Sequence, residues 1–302
     1  NSRATYLALN TPITIDEAWE KLSNQLNQAE LFFGHGAVDA DSEALWILAY
    51  CLDVSPSSLL TQLEQSLPLT VLEKASQLVT TRINTRKPLA YLLGEAWLMG
   101  EVFDCDERSI VPRSFIAELI SNQILDSWLP AAGRALDLCT GNASLAILLA
   151  KHCPDLEITA TDIDRKALEL ARQNIAKFEL TDAIELYCGD LWNALDDPND
   201  SNRFDVILCN PPYVKSATMS TLPPEYRAEP RHALAGGLDG MDFIGQVLAR
   251  AKEYLTARGV LVLEIGNEYE HFQRAFPDLV VLWLEVAAGN TQVGLINYAD
   301  LT

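Results

Sequence analysis

The sequence predicts an α/β protein, a doubly wound and mainly parallel sheet preceded by a small helical domain and a linking β-hairpin. Three observations carry this expectation. From Arg134 onward, short apolar and β-branched runs alternate with longer amphipathic ones, the pattern of repeated strand–helix–strand units. Before about residue 95 the apolar residues recur at helical spacing instead. Between the two regions, "WLMGEVFDCDERSIVP" (97–112) holds two short strand-like runs. The expected divisions are 1–95 for the helical domain, 96–112 for the hairpin linker and 113–302 for the sheet domain.

In the helical region, "TIDE" (Thr14 to Glu17) and "TVLE" (Thr70 to Glu73) both fit a capping box, Thr at the cap and an acid three residues later. After the first, Ile15, Trp19, Leu22, Leu26 and Ala29 share one helical face. Ser55 is placed to cap a helix whose first residue is Pro56. The hairpin is expected to turn near Asp106. A further amphipathic helix, capped by Ser114, carries Phe115, Ile116, Leu119, Ile120 and Ile124.

The alternating region then reads in order. "RALDLC", "EITATD", "AIELYC", "RFDVILC" and "GVLVLEIG" are strands, while "SLAILLAKH", "RKALELARQNIAKF" and a stretch near 241–257 are helices. The end, "LVVLWLEVAAGNTQVGLINY", reads as two strands around a tight turn at Gly289 and Asn290. The polar "DDPNDSNR" is a solvent loop.

Composition narrows the function. The 302 residues include 42 acidic and 22 basic ones, a formal charge of −20. A protein gripping a nucleic-acid backbone needs Lys and Arg to displace counterions, and this chain is poor in both. Its field favours a basic partner instead. No apolar run approaches the ~20 residues that span a bilayer. The start, "NSRATYLALNTPIT", lacks the basic and apolar segments of a signal peptide. Six scattered cysteines without a C-x-x-C are expected to be free, mostly buried thiols in a reducing cytoplasm. The four histidines are isolated, so no metal site is expected.

The chemistry gathers at strand ends. "LDLCTGNASLAI" follows the first strand of the sheet and opens a helix, the place where doubly wound sheets bind nucleotide-like ligands. Cys139 and Ala143 stand where a dinucleotide fingerprint needs glycines, which argues against NAD. Asp137, awkward beside a phosphate, suits the ammonium group of a cationic amino-acid cofactor. Asp162 ends the second strand, where a carboxylate can accept from both ribose hydroxyls. Asp190 follows the third, within reach of an adenine amine. One such acid is most often a cap or a solvated turn residue. Three on successive strands together fit S-adenosylmethionine.

The stretch "RFDVILCNPPYVKS" (203–216) runs a core strand into Asn210, two prolines and an aromatic ring. The prolines stop the strand, because proline lacks an N–H for the ladder. In this order and spacing, "LDLCTGNASLA", "TATDID", "GDLW" and "CNPPY" resemble class I S-adenosylmethionine-dependent methyltransferases. "NPPY" resembles the subset that methylates planar amino groups, either on nucleic-acid bases or on the glutamine amide of proteins. The resemblance implies a seven-stranded Rossmann-like sheet with the fourth strand beside the first. It implies catalysis by Asn210, Pro211, Pro212 and Tyr213. It implies cofactor binding by Asp137, Cys139, Thr140, Gly141, Asp162, Ile163, Asp190, Leu191 and Asn210, with S-adenosylhomocysteine as product. Substrate contact would fall to Asn210, Pro211, Tyr213, Glu118 and Arg113, the alternatives being that Arg113 lines the cofactor site or pairs with an acid and that Glu118 is an exposed helix position.

Three further features resemble protein-glutamine methyltransferases: the helical N-terminal domain, "KPLAYLLGEAWLMGEVFDCDERSIVPRS", and the substrate loop "LPPEYRAEPRHALAGGLDGMDF". "FFGHG" and "VPRSFIAELI" look closer to the branch acting on large-subunit ribosomal protein L-three than to the release-factor branch. A basic ribosomal protein is therefore the expected partner, a release factor the alternative, with neither nucleic acid nor membrane bound directly. Two rival readings are a nucleic-acid amino methyltransferase, which should show a basic face, and a non-catalytic ribosome-associated protein with an impaired cofactor turn. The turn does depart from the family pattern, with Asn142 for a small residue and Ala143 for a glycine. Their side chains would crowd the methionine part of the cofactor. Glu264 and Gly266 read only as the end of a strand, and His232 as a surface residue.

Overall fold

The computed structural model describes residues 13–302, so most of the N-terminal stretch read for targeting lies outside the described residues. The described residues form two compact units. One takes the residues up to Leu93 together with Pro223–Ala228, and the other takes Gly94–Leu222 and Glu229–Thr302.

The first unit holds helices α1 (Ile15–Gln28), α2 (Ala40–Leu52), α3 (Pro56–Leu59), α4 (Leu69–Thr85) and α5 (Leu89–Leu93). Thr14 caps α1 as its sequence predicts: Thr14 Oγ1 accepts from Glu17 N–H at 3.2 Å, and Glu17 Oε2 accepts from Thr14 N–H at 2.8 Å. Ile15, Leu22 and Leu26 are buried below it. Ser55 caps α3, accepting from Ser58 N–H at 3.1 Å. Thr70 does not cap α4. Pro68, already extended at φ −59°, takes the cap position, so Thr70 lies inside the first turn. The core of this unit includes an ion cluster: Arg82 donates to Glu43 at 2.6 Å and pairs with Glu225 at 3.4 Å, all three side chains buried. Glu225 also pairs with Arg86 at 3.0 Å.

The second unit begins with a hairpin, β1 (Glu95–Leu98) and β2 (Glu101–Asp104). Its turn is at Met99 and Gly100, with φ of 50° and 81°, not near Asp106. Two successive positive φ values make a tight hairpin turn, and glycine accepts one without strain. Asp106 makes a separate turn afterwards, its side chain accepting from Arg108 N–H at 3.0 Å. The hairpin is fastened to the sheet domain by Asn174, whose Oδ1 accepts from Asp104 N–H at 2.7 Å.

Helix α6 (Ile116–Ser121) follows. Phe115, not Ser114, takes its cap position, and Ser114 one residue earlier supports the first turn, its Oγ accepting from Ile116 N–H at 3.2 Å. The helix stops before Ile124, because Gln123 adopts φ 62°, and Ile124 is exposed rather than part of the apolar face.

The sheet comprises β3 (Gly133–Leu138), β4 (Leu156–Asp162), β5 (Ile184–Cys188), β6 (Phe204–Cys209), β7 (Leu255–Glu264), β8 (Leu282–Val286) and β9 (Gly289–Asn297). Their order is β5-β4-β3-β6-β7-β9-β8, with β9 antiparallel to both neighbours and the rest parallel. The last turn falls at Ala287 and Ala288, not at Gly289 and Asn290, because Gly289 already pairs with Val286. Alternation along the strands feeds two cores. Ala135 packs with the cluster on one face, while Leu136 and Leu138 join the other. Helices α7 (Ser144–His152), α8 (Arg165–Lys177) and α10 (Asp242–Tyr254) match the predicted ones, with a short α9 (Ser216–Met219) between and α11 (Tyr269–Ala275) after. All six cysteines are free, but only Cys105 and Cys209 are buried and Cys188 is exposed. The strand order reverses between β3 and β6, which makes the carboxyl ends of those strands the topological switch point.

Candidate active site

The site is built from β3 outward. Asp137, 1 % exposed, lies beneath the turn that follows this strand. Its Oδ2 accepts from Thr140 Oγ1 at 2.6 Å and from Ala146 N–H, on helix α7, at 3.2 Å. Its Oδ1 is buried with no hydrogen-bond partner. Burial pushes the Asp137 carboxyl up to about 7, the Thr140 and Ala146 bonds opposing it. An acceptor of this kind fits a cationic group, because burying a carboxylate oxygen without a partner is costly.

The turn is kinked three times. Cys139, Gly141 and Ala143 have φ of 64°, 58° and 66°. Glycine is required at 141 twice over, since a Cβ there would also lie 2.9 Å from Ser109 Oγ. Ala143 carries left-handed strain, on the order of 1 kcal/mol. Asn142 and Ala143, whose side chains are expected to crowd the cofactor, are both buried. Ala143 is fully buried in the core beside Ala146, and Asn142 is buried with its backbone oxygen accepting from Asn174 Nδ2 at 3.1 Å. Neither side chain lines the cavity described below, and neither do Asp137 and Thr140, which are joined to each other beneath the turn.

Asp162 ends β4 and holds the turn from the next strand. Its Oδ2 accepts from Gly141 N–H at 2.9 Å, and its Oδ1 from Asp164 N–H at 2.9 Å. Each carboxylate oxygen has a lone pair left for a diol. Burial raises this carboxyl, and the two N–H groups draw it back. Asp190 follows β5, exposed, ahead of a short 3₁₀ turn begun by Leu191.

Register then brings "NPPY" to the same place. Cys209 pairs with Leu138 across parallel β3 and β6, so Asn210 stands beside Cys139. Asn210, Pro212, Cys139, Gly141, Asp162, Ile163, Asp190 and Leu191 all line one cavity enclosing about 770 Å³, part of it open to solvent. Small-molecule sites typically run ~300–1,000 Å³. Pro211 is buried beside it and Tyr213 half-buried. A strand-end acid facing the cavity, an apolar wall and, beneath the turn, a buried carboxylate oxygen without a partner are an acceptor set that fits S-adenosylmethionine.

Two expected substrate residues lie elsewhere. Arg113 pairs with Glu229 at 2.5 and 2.9 Å, and the same Glu229 accepts from Val111 N–H at 2.9 Å. Glu118 accepts from Ala287 N–H at 2.8 Å, at the β8–β9 turn. Neither lines the cavity. Sequence reading missed Arg108, Ser109 and Ile110, which line it from the segment after the hairpin. His232, read as a surface residue, lines it too, 3.2 Å from Asp164. Glu264 does more than end a strand: its side chain accepts from Ser114, Phe115 N–H and Tyr213. "EIG" after a buried strand was the available signal.

Residues 117–223 match the model of the methyltransferase small domain, and residues 17–94 match that of the PrmC N-terminal domain. The ribosomal protein uL3 glutamine methyltransferase of Bordetella pertussis is 44 % identical over 281 residues, 92 % of this chain and 93 % of that one. Its counterpart from Neisseria gonorrhoeae is 37 % identical, covering 95 % of each chain. Among solved structures, the catalytic domain of hMettl16 in complex with the MAT2A 3'UTR hairpin 6 superposes with a TM-score of 0.50 at 14 % identity, over 77 % of this chain and 83 % of that one. The last likeness is one of fold.

Proposed function

The chain belongs to the ribosomal protein uL3 glutamine methyltransferases, and we propose that it methylates the side-chain amide nitrogen of a glutamine in ribosomal protein uL3, with S-adenosylmethionine as the methyl donor. The observation that carries this reading is the pairing of Cys209 with Leu138, which sets Asn210 and the cofactor turn on one cavity.

When bound, the cofactor supplies an electrophilic methyl sulfonium. The protein's task is to orient the acceptor, because an amide nitrogen has its lone pair tied up in resonance. In this reading the Asn210 side-chain oxygen and the Pro211 carbonyl accept from the two amide N–H groups, which would turn the nitrogen's face toward the methyl group. Proline's fixed φ directs that carbonyl. Acceptors would also favour the positive charge that grows on nitrogen as its bond to the methyl carbon forms and the carbon–sulfur bond breaks with its electron pair left on sulfur, the amide proton then leaving to solvent. Tyr213 packs flat against the amide. Positioning of this kind is worth up to ~7–11 kcal/mol. Asp137 would hold the ammonium group and Asp162 the ribose hydroxyls. The charge of −20 supports a basic protein partner, which such a surface steers toward itself.

The test offers labelled S-adenosylmethionine with purified uL3, a release factor and ribosomal RNA in separate reactions. Label in uL3 is the expected result. Label confined to the release factor or to RNA overturns the assignment of acceptor.

A further inference from the structure

We infer that Glu264 is a positioning residue for methyl transfer: it sets the Tyr213 ring through the tyrosine hydroxyl and ties that ring to the segment leading into helix α6. The inference rests on the methyl-transfer reading above and deepens it.

Glu264 is the last residue of β7 and only 2 % exposed. The residues before it, Leu261, Val262 and Leu263, are apolar and buried, as a central strand requires. An apolar residue at 264 would fill space equally well, so packing does not account for a carboxylate. Its hydrogen bonds do. Oε2 accepts from Ser114 Oγ at 2.5 Å and from Phe115 N–H at 3.0 Å, while Oε1 accepts from Tyr213 O–H at 3.3 Å. One buried acid thus joins three stretches far apart in sequence: the end of β7, the entry to α6 and the "NPPY" tetrapeptide.

The rest of Tyr213 is held by close backbone contacts. A Cβ at Gly266 would lie 2.4 Å from Tyr213 Cε2 and 2.9 Å from its Cζ, so only glycine lets the ring sit there. A Cβ at Gly236 would lie 2.6 Å from Tyr213 Cα, and one at Gly240 would lie 2.2 Å from its carbonyl oxygen. The main chain just beyond is paired, Val214 N–H donating to Leu234 O at 2.9 Å and Gly236 N–H to Val214 O at 2.7 Å. Backbone position is therefore fixed independently of Glu264. What Glu264 adds, with Gly266 behind the ring, is the ring's orientation, and a misplacement of the order of 1 Å costs ~100-fold in rate.

A double-mutant cycle with uL3 as substrate tests this. Glu264→Ala should lower kcat about tenfold or more, with KM for uL3 and affinity for S-adenosylhomocysteine within about twofold of wild type. In a Tyr213→Phe background the same change should cost less than about twofold, because the hydroxyl it acts through is gone. Where Glu264→Ala does not fold, Glu264→Gln takes its place in the cycle, and Tyr213→Phe alone must still lower kcat with KM little changed. Equal losses in both backgrounds, or full kcat in Tyr213→Phe, overturn the inference while leaving the methyl-transfer reading intact. A wild-type protein that does not methylate uL3 overturns both.

Discussion

Asp137 receives the Thr140 hydroxyl on one carboxylate oxygen at 2.6 Å and keeps its other oxygen buried without a partner. The sequence places a single acid at the end of the first strand of the sheet. The structure divides that acid into an oxygen that shapes the turn and an oxygen buried without a partner, the one proposed to meet the cofactor's ammonium group.

Replacing that acid should therefore move affinity and stability in opposite directions. Asp137→Asn keeps the shape and removes the charge, so affinity for S-adenosylhomocysteine, which carries the same ammonium group, should fall about 10- to 100-fold, the worth of a charge-assisted bond. The cofactor-free protein should unfold at equal or higher denaturant, since a buried unpaired charge is gone. Calorimetric titration and urea unfolding measure the two. A loss of both would make Asp137 a purely structural residue.

The raised Asp137 carboxyl also sets a pH dependence. Its folded value of about 7 lies above the ordinary 3.8, so the folded state binds more protons between those values. The stability it contributes is complete below about pH 4 and is lost as pH rises toward and through 7. From pH 5.5 to 7.5 the loss should be on the order of 2 kcal/mol in the cofactor-free protein. Glu264, pushed up to about 7 by burial against the Ser114, Phe115 and Tyr213 bonds, acts in the same direction. Cofactor affinity should rise over this range, because the cation favours the ionised acid. Urea unfolding at both pH values, with Asp137→Asn as the control that flattens part of the slope, checks it.

Ala143 offers a test of where the cofactor turn is tolerant. Its methyl lies in the core and its φ is 66°. Ala143→Gly relieves left-handed strain of about 1 kcal/mol but loses a buried methyl of similar worth. Affinity for S-adenosylhomocysteine should change less than about threefold, with melting temperature close to wild type. A gain of tenfold or more in affinity would show that the methyl does obstruct the cofactor.

In the helical unit, Arg82 neutralises the buried Glu43 at 2.6 Å, whereas Glu225 keeps Arg86 at 3.0 Å. Arg82→Met should destabilise by ~3–5 kcal/mol, because it strands the Glu43 charge. Adding Glu43→Met should recover most of that loss. Denaturant unfolding of the two variants decides it, and a loss that does not recover would assign the cost to the contact with Phe32, whose carbonyl accepts from Arg82 at 3.0 Å.

What the sequence made legible is what local rules govern. Strand and helix alternation, the acids at strand ends and the proline stop after Asn210 all follow from spacing and backbone chemistry. What it hid depends on partners far along the chain. Glu264 meets residues 150 and 51 positions away, and Glu225, read as part of a substrate loop, belongs to the helical unit through Arg82, 143 positions back. Arg113 and Glu118 were drawn to Glu229 and Ala287, contacts without a local signature. The turn errors have a common cause as well. At Thr70 and at Met99–Gly100 the nearest turn or cap residue competes with one a position or more away, and backbone pairing rather than composition settles which is used.

If Asn210 and Pro211 hold a glutamine amide for methylation, as proposed, the transferred methyl must lie on that amide nitrogen. Purified uL3, incubated with S-adenosylmethionine and either the wild-type protein or Asn210→Ala, would be digested and sequenced by tandem mass spectrometry. One added methyl on a glutamine side-chain nitrogen is expected with the wild type, and with Asn210→Ala a rate at least ~100-fold lower even at saturating S-adenosylmethionine. A methyl on lysine, arginine or a chain terminus, or equal rates for the two proteins, would contradict it.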